Sequence, residues 1–369
     1  MIKLFFCGDV VCTNSTIDNK LVEEIQKHDI KCCNFEAPII EDKEKNKTKK
    51  IGPIIFQTKE SAENIRKSGF NLINIANNHI MDYGKEGLNT TLECFKEQTV
   101  IGASLSYEKT YKAFQYEKEG VKISFLSFAE KGFGACINKE DIGYAWMRNK
   151  NIKKIIEDEK AKSDFLIVNC HAGAELFSYP LPEIRELYKK FIDWGVDIVI
   201  GHHPHVIQGE EQYKTGRIFY SLGNFVFDNK EDEWWRASYS ISISIKDKKS
   251  YEYRIIPCIL ENGQVSIDNN DICMKKFEEY SKNLLDDEKY KKCVDEFCEK
   301  MYETTYKKYY ENVCGINTMS LKSRIKSAVK ILLKKNLFND EFLYHNLEIE
   351  THLWICSRAL KNRILKGEE

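Results

Sequence analysis

The sequence predicts an α/β fold, a sandwich of two sheets with helices outside, followed by a helical C-terminal extension. Three observations carry that reading. Apolar strand-like runs alternate with helix-compatible stretches from Met1 to about Asp228. Three β-rich stretches without intervening helices come next. Residues 273–369 then contain no proline, one glycine before Gly367 (Gly315), and many Lys, Glu, Leu and Tyr. The expected division is an α/β domain over 1–270 and a helical subdomain over 271–369, either a cap over the site or a separate body. At 369 residues the chain can bury a substantial core.

Taken in order, the strand "IKLFFC" runs into Gly8-Asp9, and a helical stretch around Asp18 to His28 leads to the strand "IKCCNF". The mixed charge run Glu41 to Lys50 reads as a solvated loop. The helix "KESAENIRKSG" stops at Gly69 and feeds the strand "FNLINIA". "GKEGLNTTLECFKEQ" is an amphipathic helix followed by "VIGA". The stretch "KAFQYEKEGVKISFLSFAE" reads as two strands joined by a turn at Glu119-Gly120. The helix "NIKKIIEDEKAKS" feeds a strand ending at His171, and "PEIRELYKKFIDWG" feeds one ending at Gly201. "GRIFYSLGNFVFD", "ASYSISISIKD" and "SYEYRIIPCIL" are the β-rich stretches, and the alternation in "YSISISI" predicts a half-buried antiparallel strand. Near the C-terminus, Leu321 to Lys335 predicts an amphipathic helix with an apolar stripe of Leu321, Ile325, Ala328, Val329 and Leu332. Its basic face stands in a stretch without acids from Asn312 to Asn339, and the stripe is expected to pack on "FLYHNLEIETHLWI" rather than on a membrane.

The bulk numbers exclude several classes. A formal net charge of −1 gives no global field for nucleic acid, and none is expected as a partner. The 13 cysteines are odd in number, scattered, and lack CxxC spacing, which fits a reducing cytosol better than a disulfide framework. Cys32 and Cys33 read as core filler. No basic-then-apolar leader precedes the first strand, and no transmembrane-length apolar run occurs, so the expected location is cytoplasmic. The oligomeric state is not legible.

The chemistry gathers at strand ends. Asp9, Glu36, the Asn77-Asn78-His79 run, His171 and the His202-His203-Pro204-His205 run each close an apolar strand. Open α/β sheets collect ligand sites outside the carboxyl ends of their strands, so these distant residues are expected in one pocket. Carboxylates, an amide oxygen and imidazoles together suit a divalent transition metal, one or two ions of Mn, Fe or Zn. Gly8 would let the backbone approach a ligand closely. Asn78 can ligate without adding charge, leaving His79 to face the substrate. Histidines two apart on an extended segment point the same way, so His203 and His205 converge while His202 points elsewhere; the alternative register makes His202 the ligand. Asp82, Asn77, His202 and Asn224 are candidates to contact the substrate or support the ligands. His345 and His352 read as structural, and His28 as a helix-end residue.

The motifs "GDVV", "NFEAPI", "ANNHIMDYG", "IGHHPHVIQGEE" and "YSLGNFVFD", in that order from about Leu4 to Asp228, resemble those of the CapA family of poly-γ-glutamate capsule synthesis proteins. The resemblance implies a calcineurin-like metallophosphoesterase fold, a four-layer αββα sandwich. It also implies roles: Asp9, Glu36, Asn78, His171, His203 and His205 as metal ligands, with Glu36 bridging, and His79 as proton donor. Two positions depart from the metallophosphoesterase pattern. Val11 stands where a histidine usually follows the first Asp, and Ile80 where a carboxylate follows the Asn-His pair, so one ion would be held more weakly. The implied function is a metal-dependent hydrolase acting on a phosphoester or a γ-glutamyl amide through metal-activated water, with an anionic or γ-glutamyl substrate. The alternative is a non-catalytic accessory role in handling the polymer.

Overall fold

The computed structural model describes residues 1–13, 15–227, 233–313 and 339–367, together with the single positions Ile325 and Val329. The chain divides into two compact units, 1–48 with 54–287 and 49–53 with 288–369.

The first unit is built on two sheets. The nine-stranded sheet runs β2 (Thr16–Ile17), β18 (Gln264–Ile267), β17 (Tyr251–Glu261), β16 (Ala237–Ile245), β1 (Ile2–Val11), β3 (Ile30–Phe35), β4 (Leu72–Asn74) and β5 (Thr99–Ile101). A ninth strand, β15 (Asn224–Phe227), pairs with β1 from Asp9 onward, where β16 has left it. The six-stranded sheet runs β13 (Glu210–Tyr213), β14 (Gly216–Phe219), β12 (Ile198–His202), β11 (Phe165–His171), β8 (Val121–Ala129) and β7 (Phe114–Lys118). A small ribbon joins β6 (Ala103–Ser104), β10 (Gly143–Ala145) and β9 (Ala135–Cys136). Strands β1, β3, β4 and β5 are mutually parallel, as are β8, β11, β12 and β14, with helices in the crossovers except between β12 and β14, which a loop and β13 connect.

Alternation along these strands builds four layers. Leu4, Phe6, Ile30, Cys32 and Leu72 meet Ile123, Phe125, Ile167 and Ile198 of the second sheet in the central core. Their sequence neighbours Phe5, Cys33 and Ile73 point the other way, under Leu21, Ile25, Ala62, Ile65 and Leu88 of helices Asn19–Gln26, Lys59–Lys67 and Gly84–Cys94. Cys32 and Cys33 therefore fill one core each. On the far side, helix Ile152–Lys160 packs on β11 and helix Pro182–Asp193 on β12 and β14. This is the αββα order implied by the sequence motifs.

Local signals account for the boundaries. Asp18 accepts from the backbone of Lys20, and Thr58 forms a reciprocal cap with Ser61. The Glu119-Gly120 turn has φ of 55° and 75°, the left-handed pair that a two-residue hairpin demands. Three expectations need correction. The run "GRIFYSLGNFVFD" is two strands, β14 in one sheet and β15 in the other, with the chain crossing between sheets from Tyr220 to Gly223. The serine face of β16 is buried, not solvated, because Ser242 lies under His28 (Oγ 2.7 Å from Nε2) and Ser240 against Cys258. Gly8 admits protein backbone, not a ligand: a Cβ there would fall 1.9 Å from the carbonyl oxygen of Gly223. Helix Ile272–Leu284, beyond the β-rich stretches, belongs with the sandwich, and Cys273 and Phe277 reach the central core.

The second unit is helical, with Asp287–Met301, Lys307–Val313, Asp340–Glu348 and Glu350–Lys366 as its described helices and a π-turn at Tyr302–Tyr306. His345 and His352 pack ring to ring at 5.1 Å beside Tyr306 and Tyr309. The basic segment 321–335 lies outside the described residues apart from Ile325 and Val329. Among the described residues no helix is long and apolar enough to cross a membrane.

The contact between Gly8 and Gly223 sets a stability prediction. Gly8→Ala must push β15 off β1, so urea unfolding is expected to show a loss of about 1–3 kcal/mol, the range for overpacked cores. A variant within about 0.5 kcal/mol of the parent, the level of a neutral surface change, would mean that β15 is not locked to β1.

Candidate metal centre

The carboxyl ends of β1, β3 and β4 face those of β8, β11 and β12, and the side chains that close these strands meet there. Asp9 lies on β1, Glu36 follows β3, and Asn77, Asn78 and His79 follow β4. His171 ends β11 and His202 ends β12, with His203 and His205 in the bend beyond. Asp9, Glu36, His171, His202, His203 and His205 are all essentially buried.

Distances define two overlapping donor sets. One ligand atom from each of Glu36, His203 and His205 lies within 4.8 Å of the others, and so does one from each of Asp9, Glu36 and His171. Glu36 is common to both. Its Oε1 is 3.6 Å from His171 Nε2 and 3.7 Å from His205 Nε2, yet among the described residues neither carboxylate oxygen has a hydrogen-bond partner. Asn78 Oδ1 approaches His171 Nε2 at 2.8 Å. A fully buried carboxylate without a donor is costly in a metal-free protein. A donor set of carboxylates, imidazoles and one amide oxygen fits a divalent cation, which would satisfy Glu36.

The protonation balance follows from burial. Burial pushes the Asp9 carboxyl up, but the imidazoles of His202 and His205, 3.3 and 3.4 Å from its oxygens, and the field of His171 carry it well below the usual range. Burial raises Glu36 well above that range, with Asp9 adding to the effect. Burial and His203 push His171 well down, and burial takes His203 to about 4. For His205, burial is outweighed by Glu36 and Asp9, which raise it to about 10. The metal-free centre thus keeps a proton near Glu36 and His205, which a cation must displace.

The remaining candidates sit at the rim or behind the donors. His79 Nδ1 lies 2.7 Å from Asp82 Oδ2, and that oxygen also accepts from the backbone of Ile55 at 2.9 Å. Asn77 staples its loop to β3, donating to Phe35 O and accepting from the His79 backbone. Asn224 Oδ1 stands 2.9 Å from His205 Nδ1. The backbone differs from the extended run expected for the histidines. His203 and His205 have φ of 95° and 59°, so the chain bends at each and convergence does not come from strand alternation. His202 does not point away: as the last residue of β12 its Nδ1 is 3.3 Å from Asp9 Oδ1.

Three participants were not among the sequence candidates. Asn34 donates to Asp9 Oδ1 at 2.7 Å, and its spacing from Glu36, two along one strand, was the available signal. Glu130, one residue past β8, accepts from the Gly173 backbone and lies 4.0 Å from His203 Nε2. Trp235 stacks on His205 with ring centroids 4.9 Å apart; nothing in the local sequence pointed to it.

The sequence model of the bacterial capsule synthesis protein PGA_cap matches residues 3–229. The chain belongs to that family. It is 33% identical over 267 residues to the capsule biosynthesis protein CapA of Bacillus anthracis, covering 68% of this chain and 64% of that one. It is 37% identical over 224 residues to the PGA biosynthesis protein CapA of Bacillus subtilis (strain 168), covering 59% and 57%. The matched region thus spans about six tenths of the length of these relatives. Among solved structures it is similar to the 5'-nucleotidase of Candida albicans, with a TM-score of 0.41, 11% identity, and 79% of this chain and 58% of that one covered. It is also similar to the NAD nucleotidase of Haemophilus influenzae, with a TM-score of 0.39, 13% identity, and 82% and 71% covered.

The state of Glu36 gives the test of the CapA-family centre. Glu36→Gln removes a buried, unpartnered carboxylate, so in EDTA the variant should melt no lower than the parent. With manganese at 100 times its dissociation constant the parent should gain about 2.7 kcal/mol and the variant much less. A variant that is destabilised in EDTA yet equally stabilised by manganese would remove Glu36 from the ion site.

Proposed function

We propose that this chain is a divalent-metal-dependent hydrolase that cleaves a phosphoester or a γ-glutamyl amide. The observation that carries the reading is Glu36, fully buried without a hydrogen-bond donor among the described residues and shared by two imidazole-containing donor sets. Asp9, Glu36, Asn78, His171, His203 and His205 would hold one or two ions. Held there, a divalent cation would supply Lewis-acid polarisation of a substrate oxygen and lower the pKa of water toward about 7.

The protein's own groups supply the rest. Asp82 holds Nδ1 of His79, which fixes the ring and assigns proton transfer to Nε2. His79 then protonates the leaving group. Asp82 in turn is held by the backbone of Ile55, so the donor's orientation is inherited from the loop before helix Lys59–Lys67. Trp235 and Phe227 wall His205 on two sides and keep water from that part of the centre. The names of the two Bacillus relatives, capsule biosynthesis and PGA biosynthesis, favour a γ-glutamyl polymer or fragment as substrate. A reducing cytoplasm suits the 13 scattered cysteines.

The experiment is metal analysis of the purified protein, then a hydrolysis screen of phosphoesters and γ-glutamyl peptides with added manganese. His79→Gln is expected to keep its metal and lose roughly 10²–10⁴-fold in rate, the range for general acid–base catalysis. His203→Ala is expected to lose metal. Equal metal loss in both would make His79 a ligand, and a metal-loaded protein inert on both substrate classes would favour the accessory role.

A further inference from the structure

Below the centre the two sheets meet through polar residues where a core would ordinarily be apolar. Asn34 pairs in register with Asn74 across β3 and β4, and Ser127 with Asn169 across β11 and β8; all four are buried. Hydrogen bonds through this layer have one possible direction. The backbone N–H of Ala76 donates to Asn74 Oδ1 at 3.0 Å, and the Ser127 hydroxyl donates to the same oxygen. Asn74 must then turn its amide nitrogen to Asn34 Oδ1, at 2.8 Å. Asn34 in turn presents its nitrogen to Asp9 Oδ1 at 2.7 Å and to His171 Nδ1 at 3.1 Å. A backbone N–H can only donate and a carboxylate can only accept. Both ends of the relay therefore pin the two amides the same way.

The consequence falls on His171. A donor faces its Nδ1, so a neutral ring accepts there and carries its proton on Nε2. The surroundings of Nε2 agree, with Asn78 Oδ1 at 2.8 Å and His203 Nδ1 at 3.1 Å. His205 is the opposite case. Its Nδ1 faces acceptors, Asn224 Oδ1 at 2.9 Å and Asp9 Oδ2 at 3.4 Å, so that nitrogen keeps its proton and an ion has to displace only the one on Nε2, with no donor set against it at Nδ1.

We propose that Asn34, oriented by Asn74, is a positioning residue that holds His171 as the Nε2–H tautomer and weakens the ion position formed by Asp9, Glu36 and His171. The position formed by Glu36, His203 and His205 stays tight. The inference rests on the metal-centre reading above. For His171 Nε2 to bind an ion its proton must move to Nδ1, against the N–H of Asn34. Two buried donors then face each other, and a hydrogen bond lost in this way weakens binding about 5- to 100-fold.

Two measurements test it. Long-range ¹H–¹⁵N spectra of the metal-free protein, labelled at histidine, should show His171 protonated at Nε2; protonation at Nδ1 overturns the inference whatever the variants do. Manganese titration of the parent should show a tight and a weak step, and Asn34→Ala should tighten the weak step about 5- to 100-fold, with the tight step little changed. A folded Asn34→Ala whose weak step is unchanged or weaker also overturns the inference. A parent that binds no manganese sinks the proposed function instead, and the tautomer measurement then decides this inference by itself.

Discussion

Asp9 is the group through which the two sheets are held in common. Its backbone pairs with β3 on one side and β15 on the other, so it is fixed within the first sheet. Its carboxylate then reaches the second sheet, where Oδ2 accepts the backbone N–H of His203 at 3.1 Å. That bond anchors a bend in which two non-glycine residues have positive φ, a conformation costing of order 1–3 kcal/mol each. A neutral side chain at position 9 would leave the bend without its anionic acceptor. The position of His203 and His205 over Glu36 thus depends on one carboxylate contributed by the other sheet.

The same constraint explains what could be read from the sequence. Strand ends carrying Asp9, Glu36, His171 and the His202–His205 run were legible because each follows an apolar run whose period and length say strand. The hairpin at Glu119-Gly120 was legible because a turn demands particular residues. The bend at His203 and His205 was not, since nothing in "GHHPH" marks two histidines as left-handed; a long-range bond to Asp9 selects that conformation. The serines of β16 misled for a similar reason. Alternation identifies the faces of a strand but not what covers the second face, and here His28 covers Ser242. Asn34 and Asn169 left a faint trace as polar residues two before Glu36 and His171. Glu130 left none beyond its place after an apolar run. Residues 321–335 fall mostly outside the described structure, so the expected basic helix has no counterpart to compare.

His171 and His205 show how a buried polar layer distinguishes two rings placed alike against Glu36. Both rings are buried and both lie within 3.7 Å of Glu36 through Nε2. Position therefore does not distinguish them, and the group behind each ring does. An amide oxygen stands behind His205 and an amide nitrogen behind His171. The difference traces to which sheet element each asparagine belongs to. Asn224 opens β15 with its amide nitrogen unpartnered among the described residues, whereas Asn34 is locked by Asn74 and, through it, by the backbone of Ala76.

The two departures from the metallophosphoesterase pattern fall into place beside this asymmetry. Val11 is nearly buried at the end of β1, and Ile80 is fully buried in the core beneath the helices, packed with residues such as Leu88. An apolar side chain at either position cannot ligate an ion. Losing such a donor and holding His171 in a protonated tautomer act in the same sense, toward a centre whose two positions differ in strength. A position that fills weakly exchanges readily, so its occupancy depends on the ion concentration around the protein. Glu36 is the residue that would couple the two positions, because among the described residues it is the one common to both donor sets and has no hydrogen-bond partner to satisfy it.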